Sequence, residues 1–561
     1  MMNSGSHGSS DGSRKDLLLI FLVTLFVYLP LLGTDVFDGN EPIRVIIAKE
    51  MLKTGNLTLP LLHGQLYFIK PPLMSWLIAA SGDIFGIVNE WTARFPSVIA
   101  VLLTGYTVYF LTIRWLTREG RLFASLALLT MVSLITKGMT AEIDSLFVLL
   151  TSSALLTWFY GYTLQWKPVF VWIVPLSITG IGFLTKGPQG IAYFYFTVFA
   201  YLLYRRNLRF FFSLSHLAGF LCFLSILGIY LLTVLQHISL YEYFQMWKGQ
   251  TTQRGSTSHS FGFLKHLVSY PVESFLSFLP WTFGFLPLMF MKELRTRAKE
   301  LLSNDLFLFS FIMIAVNFPL YWLLPGARVR YILPLGPFVA IMLALLFVWY
   351  ENEATGNPRI TIFFKKFLYA LLWIVSFCAV SIIPVTIFLK TVFSLHLILL
   401  MGALMLSILF LWLKRNTLIT GSIPVVIALL TGFFMLIYSG TQAQLHEKRP
   451  DDPRKIARTI NTLLPKDTGR VYEIGYDRFL EITCYLNRDV ILLNSFDQLK
   501  SMDKQKDVYF IFDTAYLRKA QRSAGIDPGE DLRWDKVYSA PYKNKKTEIV
   551  LGHLRANDDA E

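Results

Sequence analysis

Three carboxylates in the polar segments of this sequence could accept a proton during a reaction. Asp38 and Glu41 lie in one segment, and Asp144 lies in another, just after Glu142. A positioned carboxylate is a common general base. The same residues could be purely structural, because Asp38 could shape a turn beside Gly39, while Glu41 and Asp144 could stabilise helix starts. Their chemistry therefore depends on the groups that the fold brings to them.

A set of basic side chains in similar segments could bind a phosphate. They are Lys70, Lys186, Arg254, Arg328 and Arg330. Lys70 precedes two prolines, and a residue before proline is restricted to extended backbone, so this side chain could be aimed with little loss of freedom. A lysine near a membrane can also extend to the interface without binding any ligand. Together with the carboxylates, these cations suit a reaction in which a phosphate leaves while an acceptor loses a proton.

The elements that must position these groups are mostly membrane helices. The chain has 561 residues, of which 54% are hydrophobic and 16% are charged, whereas soluble proteins average about 25% charged residues. Apolar runs long enough to cross a hydrocarbon core of about 30 Å recur from Leu17 to Tyr438, and we expect about thirteen transmembrane helices. The net charge of +14 comes from Lys and Arg scattered over short loops, which indicates membrane topology and not nucleic-acid binding.

The positions of the basic residues predict the orientation of the chain. Residues 1–16 are expected to form a disordered cytoplasmic tail, and residues 17–439 the membrane domain. Basic residues cluster in alternate loops, for example at 114–121 and 205–209, which the positive-inside rule places in the cytoplasm. The opposite loops, including 33–91 and 236–270, then face the periplasm or the exterior. We therefore expect a multi-pass protein of the bacterial inner membrane whose candidate groups share the outer face.

The composition changes after Tyr438. Residues 440–561 are rich in polar side chains and contain β-like runs at 471–474, 490–493 and 508–512, together with a helix-like stretch at 453–464. These patterns predict a small α/β domain, and the odd number of spans places it on the outer face. The fold class is thus an α-helical polytopic membrane protein with a C-terminal α/β soluble domain.

Several short motifs lie in order on the predicted outer face. The first outer loop contains Tyr67-x-x-Lys70-Pro-Pro-Leu73 and Arg94-x-Pro96. The later motifs are Glu142-Ile143-Asp144, Leu184-Thr185-Lys186-Gly187-Pro188, Pro280-Trp281 and Arg330-Tyr331-Ile332-Leu333-Pro334. In this order and spacing they resemble the polyprenyl-phosphate-sugar glycosyltransferases of the protein O-mannosyltransferase and aminoarabinose (lipid A) transferase type, which have the GT-C architecture.

This resemblance implies a monomeric enzyme that moves a sugar from a polyprenyl-phosphate carrier to an acceptor, with inversion at the anomeric carbon. The acceptor would be lipid A or another glycolipid, a polysaccharide or a protein. The catalytic residues that the resemblance implies are Glu41, Asp144 and Asp38. The donor-phosphate ligands that it implies are Lys70, Arg330, Lys186, Arg328 and Arg254. The predicted substrate-binding residues are Tyr67, Arg44, Asn40, Glu142 and Tyr331.

The sequence departs from the family pattern at four positions, because Ile43 and Arg44 stand where Arg and Tyr are common, and Asn40 and Ile69 also differ from it. The usual Asp-Glu pair is Asn40-Glu41 here, so Glu41, Asp38 and Asp144 all stay candidates for the base. Ile69 occupies a position that is acidic in some relatives, which weakens the argument for a metal ion there. We therefore predict no definite cofactor and leave a divalent metal open.

The polar stretch 248–263 is a further candidate element of the site. This stretch is predicted to be a mobile flap that brings Arg254 towards the phosphate, with a passive linker as the alternative.

Two other functions are alternatives to a transferase. Polar residues deep in several spans, or paired broken helices, would indicate a lipid-linked sugar flippase or other transporter, and neither feature stands out. An outer-face scaffold would leave the loop motifs without a purpose.

Overall fold

The computed structural model describes most of the chain and divides it into two compact units. The described residues are 6–252, 260–354 except 291 and 293–297, scattered positions between 362 and 412, and 423–555 except 449–450, 476–478, 494, 501–506, 515–533 and 543–546. The first unit comprises Met1–Leu32, Phe68–Met74 and Arg94–Thr441, and the second comprises Gly33–Tyr67, Ser75–Ala93 and Gln442–Glu561. Each unit has its own set of secondary structure elements.

The described part of the first unit is helical. Its helices are α1 (Ser6–Tyr28), the main part of α4 (Glu90–Leu111), α5 (Arg118–Leu129), α6 (Val132–Gly138), α7 (Asp144–Thr163), α8 (Pro168–Lys186), α9 (Gln189–Tyr204), α10 (Leu208–Phe211), α11 (Leu214–Leu235), α12 (Leu240–Thr252), α13 (Ser260–Ser277), α14 (Leu286–Phe290), α15 (Asp305–Trp322), α16 (Gly336–Ala354) and most of α17 (Ile423–Lys448). Short 3₁₀ helices lie at Leu29–Leu31, Trp281–Phe285, Ala298–Ser303 and Val329–Leu335.

Many of these helices suit a bilayer in length and composition. Among the described residues, six segments are long and apolar enough to cross a membrane, and the number rises to eight if two bent helix pairs are each one span. The unbent segments are Glu90–Leu111, Asp144–Thr163, Pro168–Lys186, Leu214–Leu235, Asp305–Trp322 and Val329–Trp349. The predicted membrane protein is thus confirmed, while the expected spans 367–389 and 396–413 lie largely outside the described residues.

Two predicted spans are bent. The expected straight span at 121–136 is broken between α5 and α6, which meet at 61°, and the expected span at 271–291 includes a bend of 101°. At the first bend, the amide of Val132 donates to the carbonyl of Leu279 at 3.0 Å. This contact satisfies a backbone donor at the start of α6 that has no partner in its own helix. Hydropathy shows that such a run is apolar but not that it is bent.

The second unit combines two loop helices with a C-terminal sheet. Its elements are α2 (Glu41–Thr54), most of α3 (Leu73–Phe85), α18 (Pro453–Leu463), α19 (Leu480–Thr483), α20 (Asp497–Lys500) and strands β1 (Leu61–Leu62), β2 (Gln65–Leu66), β3 (Arg470–Ile474), β4 (Asp489–Leu493), β5 (Val508–Asp513), β6 (Trp534–Tyr542) and β7 (Thr547–Leu554). The helix predicted to start at Glu41 is confirmed, and it ends at Gly55, whose φ of 70° suits glycine.

The C-terminal sheet has five strands in the order β4-β3-β5-β7-β6. Strands β4, β3 and β5 are parallel, whereas β7 is antiparallel to both β5 and β6. Helix α18 begins at a cap formed by Asp452 and packs Ile456 and Ile460 into a core with residues of the sheet. The β-like runs and the helix predicted in this part of the sequence are therefore confirmed.

Candidate active site

Five charged residues of the first unit lie close together in the structure. We call them the charged cluster, and they are Lys137, Glu142, Asp144, Lys186 and Arg330. The ammonium of Lys186 donates to Asp144 Oδ1 at 2.7 Å. Arg330 Nη1 donates to Glu142 Oε1 at 3.0 Å and lies 3.7 Å from Asp144 Oδ2. Lys137 forms an ion pair with Glu142. Three cations and two carboxylates leave this cluster with one net positive charge.

Helix ends position the centre of the cluster. Asp144 begins α7, and Lys186 is the last residue of α8. A carboxylate at a helix start and a cation at a helix end both interact favourably with the helix dipole. Gly187 ends α8 with a φ of 76°, a backbone angle that glycine adopts without strain. The local sequence thus fixes where each chain segment turns and which charge it presents.

Burial separates the cluster into an inner and an outer part. The side chains of Asp144 and Lys186 are only 1% and 3% exposed, whereas that of Arg330 is 21% exposed. A buried charge needs a compensating partner, and the Asp144–Lys186 pair supplies it. Asp144 Oδ2 is buried and makes no hydrogen bond to any described residue. Arg330 is therefore more accessible than Lys186, and Asp144 has one carboxylate oxygen that can still accept a hydrogen bond.

Aromatic rings line the inner pair. The ammonium of Lys186 lies 4.8 Å from the ring centre of Phe147 and 5.1 Å from that of Tyr331. The carbonyl of Tyr331 accepts a hydrogen bond from the hydroxyl of Tyr193 at 2.7 Å. Such rings stabilise a cation through their negative faces. Tyr331, a predicted substrate-binding residue, thus contacts the cluster and has its backbone fixed.

The remaining predicted phosphate ligands are not all described. Lys70 lies in the first unit just before α3 and is half-buried. Arg328 is exposed at the start of the 3₁₀ helix that carries Arg330. Arg254 and the central part of the predicted flap lie outside the described residues. Their roles as phosphate ligands stay predictions.

The second unit holds the other candidate acids at the start of α2. The amide of Asp38 donates to Glu41 Oε2 at 3.0 Å, and the amide of Glu41 donates to the carbonyl of Asp38 at 3.2 Å. Glu41 is 2% exposed, Asp38 is exposed, and Asn40 between them is half-buried. The carboxylate of Glu41 thus holds the turn at the helix start, as the structural interpretation of this residue predicts.

Two predicted substrate-binding residues of the second unit contact each other. The guanidinium carbon of Arg44 lies 5.5 Å from the ring centre of Tyr67, and both residues are buried. This cation–π contact links the second turn of α2 to the segment after β2. It shows that both residues also have a packing role.

Two further points concern metal binding and the residues that the sequence did not single out. Among the described residues, no group of three or more His, Cys, Asp and Glu side chains is suited to hold a metal ion. The sequence did not single out Lys137, which lies five residues before Glu142. It also did not single out Glu90, which accepts a hydrogen bond from the hydroxyl of Tyr485 at 2.8 Å. Glu90 has no motif around it, so no sequence signal pointed to this contact.

Comparison with known proteins shows that the chain is similar to glycosyltransferases. Residues 69–231 match the family described as dolichyl-phosphate-mannose-protein mannosyltransferase. The chain is 27% identical, over 58% of its length, to undecaprenyl phosphate-alpha-4-amino-4-deoxy-L-arabinose arabinosyl transferase 2 of Proteus mirabilis, and the match spans 58% of that relative. It is also 26% identical to an uncharacterized protein of Aquifex aeolicus, over 82% of this chain and 85% of that protein.

A solved structure shares the fold over nearly the whole chain. The crystal structure of ArnT from Cupriavidus metallidurans bound to undecaprenyl phosphate superposes with a TM-score of 0.70 at 17% identity, and the match covers 96% of this chain and 98% of that one. At this identity the likeness establishes the GT-C fold and nothing finer. The comparisons confirm the resemblance predicted from the sequence, to glycosyltransferases of the aminoarabinose transferase and protein mannosyltransferase type, and with it the prediction that this chain is a glycosyltransferase.

Proposed function

We propose that this protein transfers a sugar from a polyprenyl-phosphate carrier to an acceptor on the periplasmic face of the inner membrane. The observation that carries the proposal is the charged cluster, which combines a net positive charge, a partly exposed arginine and a buried carboxylate oxygen that can accept a hydrogen bond. A leaving phosphate needs the first two features, and a bound sugar hydroxyl could use the third. The likeness to a transferase crystallised with undecaprenyl phosphate supports a donor of this class.

The proposed reaction is an inverting displacement. An acceptor oxygen attacks the anomeric carbon, the bond from that carbon to the phosphate oxygen breaks, and the phosphate leaves on the polyprenyl carrier. Glu41 takes the proton from the acceptor, and Lys70 and Arg330 stabilise the charge that develops on the phosphate. Lys186 neutralises Asp144 and holds it in place to orient the sugar.

The other candidates have supporting roles in this proposal. Glu142 fixes Arg330 through the hydrogen bond at 3.0 Å, and Tyr331 covers the Asp144–Lys186 pair. Arg328 and Arg254 would add positive charge for the phosphate. Asp38 fixes the carboxylate of Glu41 through its amide and stays an alternative base.

The proposed orientation has its own test. Basic residues in alternate loops place the N-terminus in the cytoplasm and residues 440–561 in the periplasm. A reporter that is active only in the periplasm, fused after Glu561, should therefore be active. A reporter that works only in the cytoplasm should be inactive at the same position, and the opposite pair of results would contradict the assignment of the site to the periplasmic face.

Mass spectrometry of the cell envelope tests the activity and identifies the acceptor. Glycolipids including lipid A, polysaccharides and glycoproteins are compared between cells with the gene, without it, and with a Glu41→Gln copy. One of these classes should lose a sugar-sized mass in both the deletion and the variant. If all classes are unchanged, and vesicles with the protein move a lipid-linked sugar across the bilayer, the flippase alternative replaces the transferase.

A further inference from the structure

The C-terminal part of the second unit contacts the first loop through Tyr485. The ring of Tyr485 stacks on the ring of Phe37, with centres 5.5 Å apart and planes inclined by 24°. Its hydroxyl accepts a hydrogen bond from the amide of Phe37 at 2.9 Å and donates one to Glu90 Oε1 at 2.8 Å. One side chain therefore links the chain just before α2 with the start of α4.

Arg454 adds a second connection to the same carboxylate. Its Nη1 lies 3.5 Å from Glu90 Oε1, and its Nη2 donates to the carbonyl of Thr34 at 3.1 Å. Glu90 and Phe37 are both buried, at 9% and 1% exposed. In such surroundings each of these polar contacts is costly to lose, because the group left behind cannot bond to bulk water.

Helix α2 and the hairpin after it contact residues next to Tyr485. Lys49 donates to the carbonyl of Cys484 at 2.6 Å, and Lys53 forms an ion pair with Asp489. His63 forms a hydrogen bond with Thr483 at 2.9 Å. Residues 483–489 thus contact the loop before α2, helix α2 itself and the hairpin after it.

We propose that Tyr485 is a positioning residue for the transfer reaction, acting through the backbone of Phe37 on the carboxylate of Glu41. Phe37 is followed directly by Asp38, whose amide holds Glu41 Oε2 at 3.0 Å. Because Glu41 lies at the first position of α2, a shift of the Phe37 amide moves the turn that orients this carboxylate. The inference rests on the proposed function, and it gives the C-terminal domain a part in catalysis without any contact to the sugar.

The variant Tyr485→Phe tests this role because it keeps the stacked ring and removes only the hydroxyl. We expect kcat to fall about tenfold with the donor KM unchanged, since the loss is one of orientation. Amide hydrogen exchange in a peptide covering residues 37–41 should become faster. Exchange in a peptide covering residues 144–163 of the first unit should be unchanged.

Tyr542→Phe is the matched control. The hydroxyl of Tyr542 donates to Glu481 at 2.8 Å, so this variant also removes a tyrosine hydroxyl that is hydrogen-bonded to a carboxylate within the C-terminal domain. It should retain the kcat and the exchange rates of the wild type. Equal losses of kcat in Tyr485→Phe and Tyr542→Phe would reduce the role of Tyr485 to general stability and overturn the inference.

The remaining outcomes separate the inference from the function on which it rests. If the wild-type protein transfers sugar and Tyr485→Phe does so with the same kcat, the positioning role is wrong and the proposed function stands. If the wild-type protein transfers no sugar from any polyprenyl-phosphate donor, the proposed function fails. In that case faster exchange at residues 37–41 in Tyr485→Phe would show that Tyr485 orders this segment, and the proposed role of Tyr485 in sugar transfer would be wrong.

Discussion

The two units stabilise their candidate carboxylates in different ways. In the first unit, Asp144 accepts a hydrogen bond from the ammonium of Lys186 and lies 3.7 Å from Arg330. In the second unit, Glu41 accepts a hydrogen bond from the backbone amide of Asp38. Both carboxylates are almost fully buried. These contacts pair Asp144 with charged side chains and connect Glu41 to the backbone of its own turn.

This difference suggests a division of labour between the two acids. An ammonium that is already bound to Asp144 offsets its charge and would have to be displaced or neutralised if the carboxylate took up a proton. A carboxylate that accepts a hydrogen bond from a backbone amide at a helix start keeps that hydrogen bond when it takes up a proton. We therefore assign orientation of the sugar to Asp144 and proton transfer to Glu41, and the predictions below test that assignment.

Replacement of Glu41 should have the largest effect on activity. Glu41→Gln keeps the size of the side chain and an oxygen for the Asp38 amide, but it removes the base. A general base accelerates a reaction by roughly 10²- to 10⁴-fold, so we expect turnover to fall about a thousandfold. Single-turnover transfer and binding of a labelled polyprenyl-phosphate sugar should be measured together, and donor binding should be unchanged.

The other two acids provide the comparison. Asp144→Asn should reduce turnover less than Glu41→Gln, because it alters orientation and not proton transfer. Full activity in Glu41→Gln together with inactive Asp144→Asn would move the base to the first unit and reverse the division between the units. Full activity in Glu41→Gln together with inactive Asp38→Asn would move the base to another residue of the second unit.

The buried pair in the first unit should dominate stability. Removing one partner of a buried ion pair leaves an uncompensated charge and costs about 3 to 5 kcal/mol. Lys186→Met should therefore lower the free energy of unfolding in detergent by this order. The double variant Lys186→Met, Asp144→Asn should be more stable than Lys186→Met alone, because it removes both charges.

The double-mutant cycle also tests the structure itself. If the effects of Lys186→Met and Asp144→Asn simply add, the two side chains do not interact as the distance of 2.7 Å implies. The contrast with the second unit would then lose its basis.

Lys70 should affect the leaving phosphate. Removing one charged hydrogen bond to a developing oxyanion costs about 3 kcal/mol, or roughly a hundredfold in rate, when water is excluded. Lys70→Met should accordingly weaken both donor use and turnover, unlike Glu41→Gln. Kinetics over a range of donor concentrations measure both effects. Lys167→Met changes an exposed lysine and should have wild-type kinetics, whereas unchanged kinetics in Lys70→Met would remove this residue from the site.

The sequence predicted the secondary structure and the candidate residues better than it predicted which side chains contact each other. The apolar runs and the alternating runs after residue 470 identify helices and strands, because each has its own periodicity. The motifs also identified Glu142, Asp144, Lys186 and Arg330, which the fold brings together. Each residue was nevertheless assigned alone, so the use of Lys186 by Asp144 was not foreseen.

Contacts between distant parts of the chain explain most of what was missed. Tyr485 and Glu90 are 395 positions apart, and neither occurs in a recognisable motif. Hydropathy likewise identified the run at 121–136 without its bend, at which Val132 forms a hydrogen bond with the distant Leu279. Long-range hydrogen bonds of this kind have no local signature.

The smallest predicted effect is a pH dependence specific to the second unit, and it originates at His63. Burial lowers the pKa of this residue from 6.5 to about 4. The unfolded chain therefore binds a proton first as the pH falls, so the stability is complete above pH 6.5, declines between 6.5 and about 4, and then levels off. Between pH 7 and pH 5 the loss should be about 2 kcal/mol. Thermal unfolding of the full chain at several pH values measures this loss.

His63→Asn is the variant that cannot titrate. Asn tolerates the left-handed backbone of this position, where φ is 49°, and its amide can still bond to Thr483. The difference between wild type and His63→Asn should therefore depend on pH in this window, whereas exchange of the exposed His237 for Asn should leave the wild-type profile unchanged. A difference that is flat from pH 7 to pH 5 would mean that His63 is not buried in its neutral form, and that the contact between the hairpin and residues 483–489 is weaker than the structure implies.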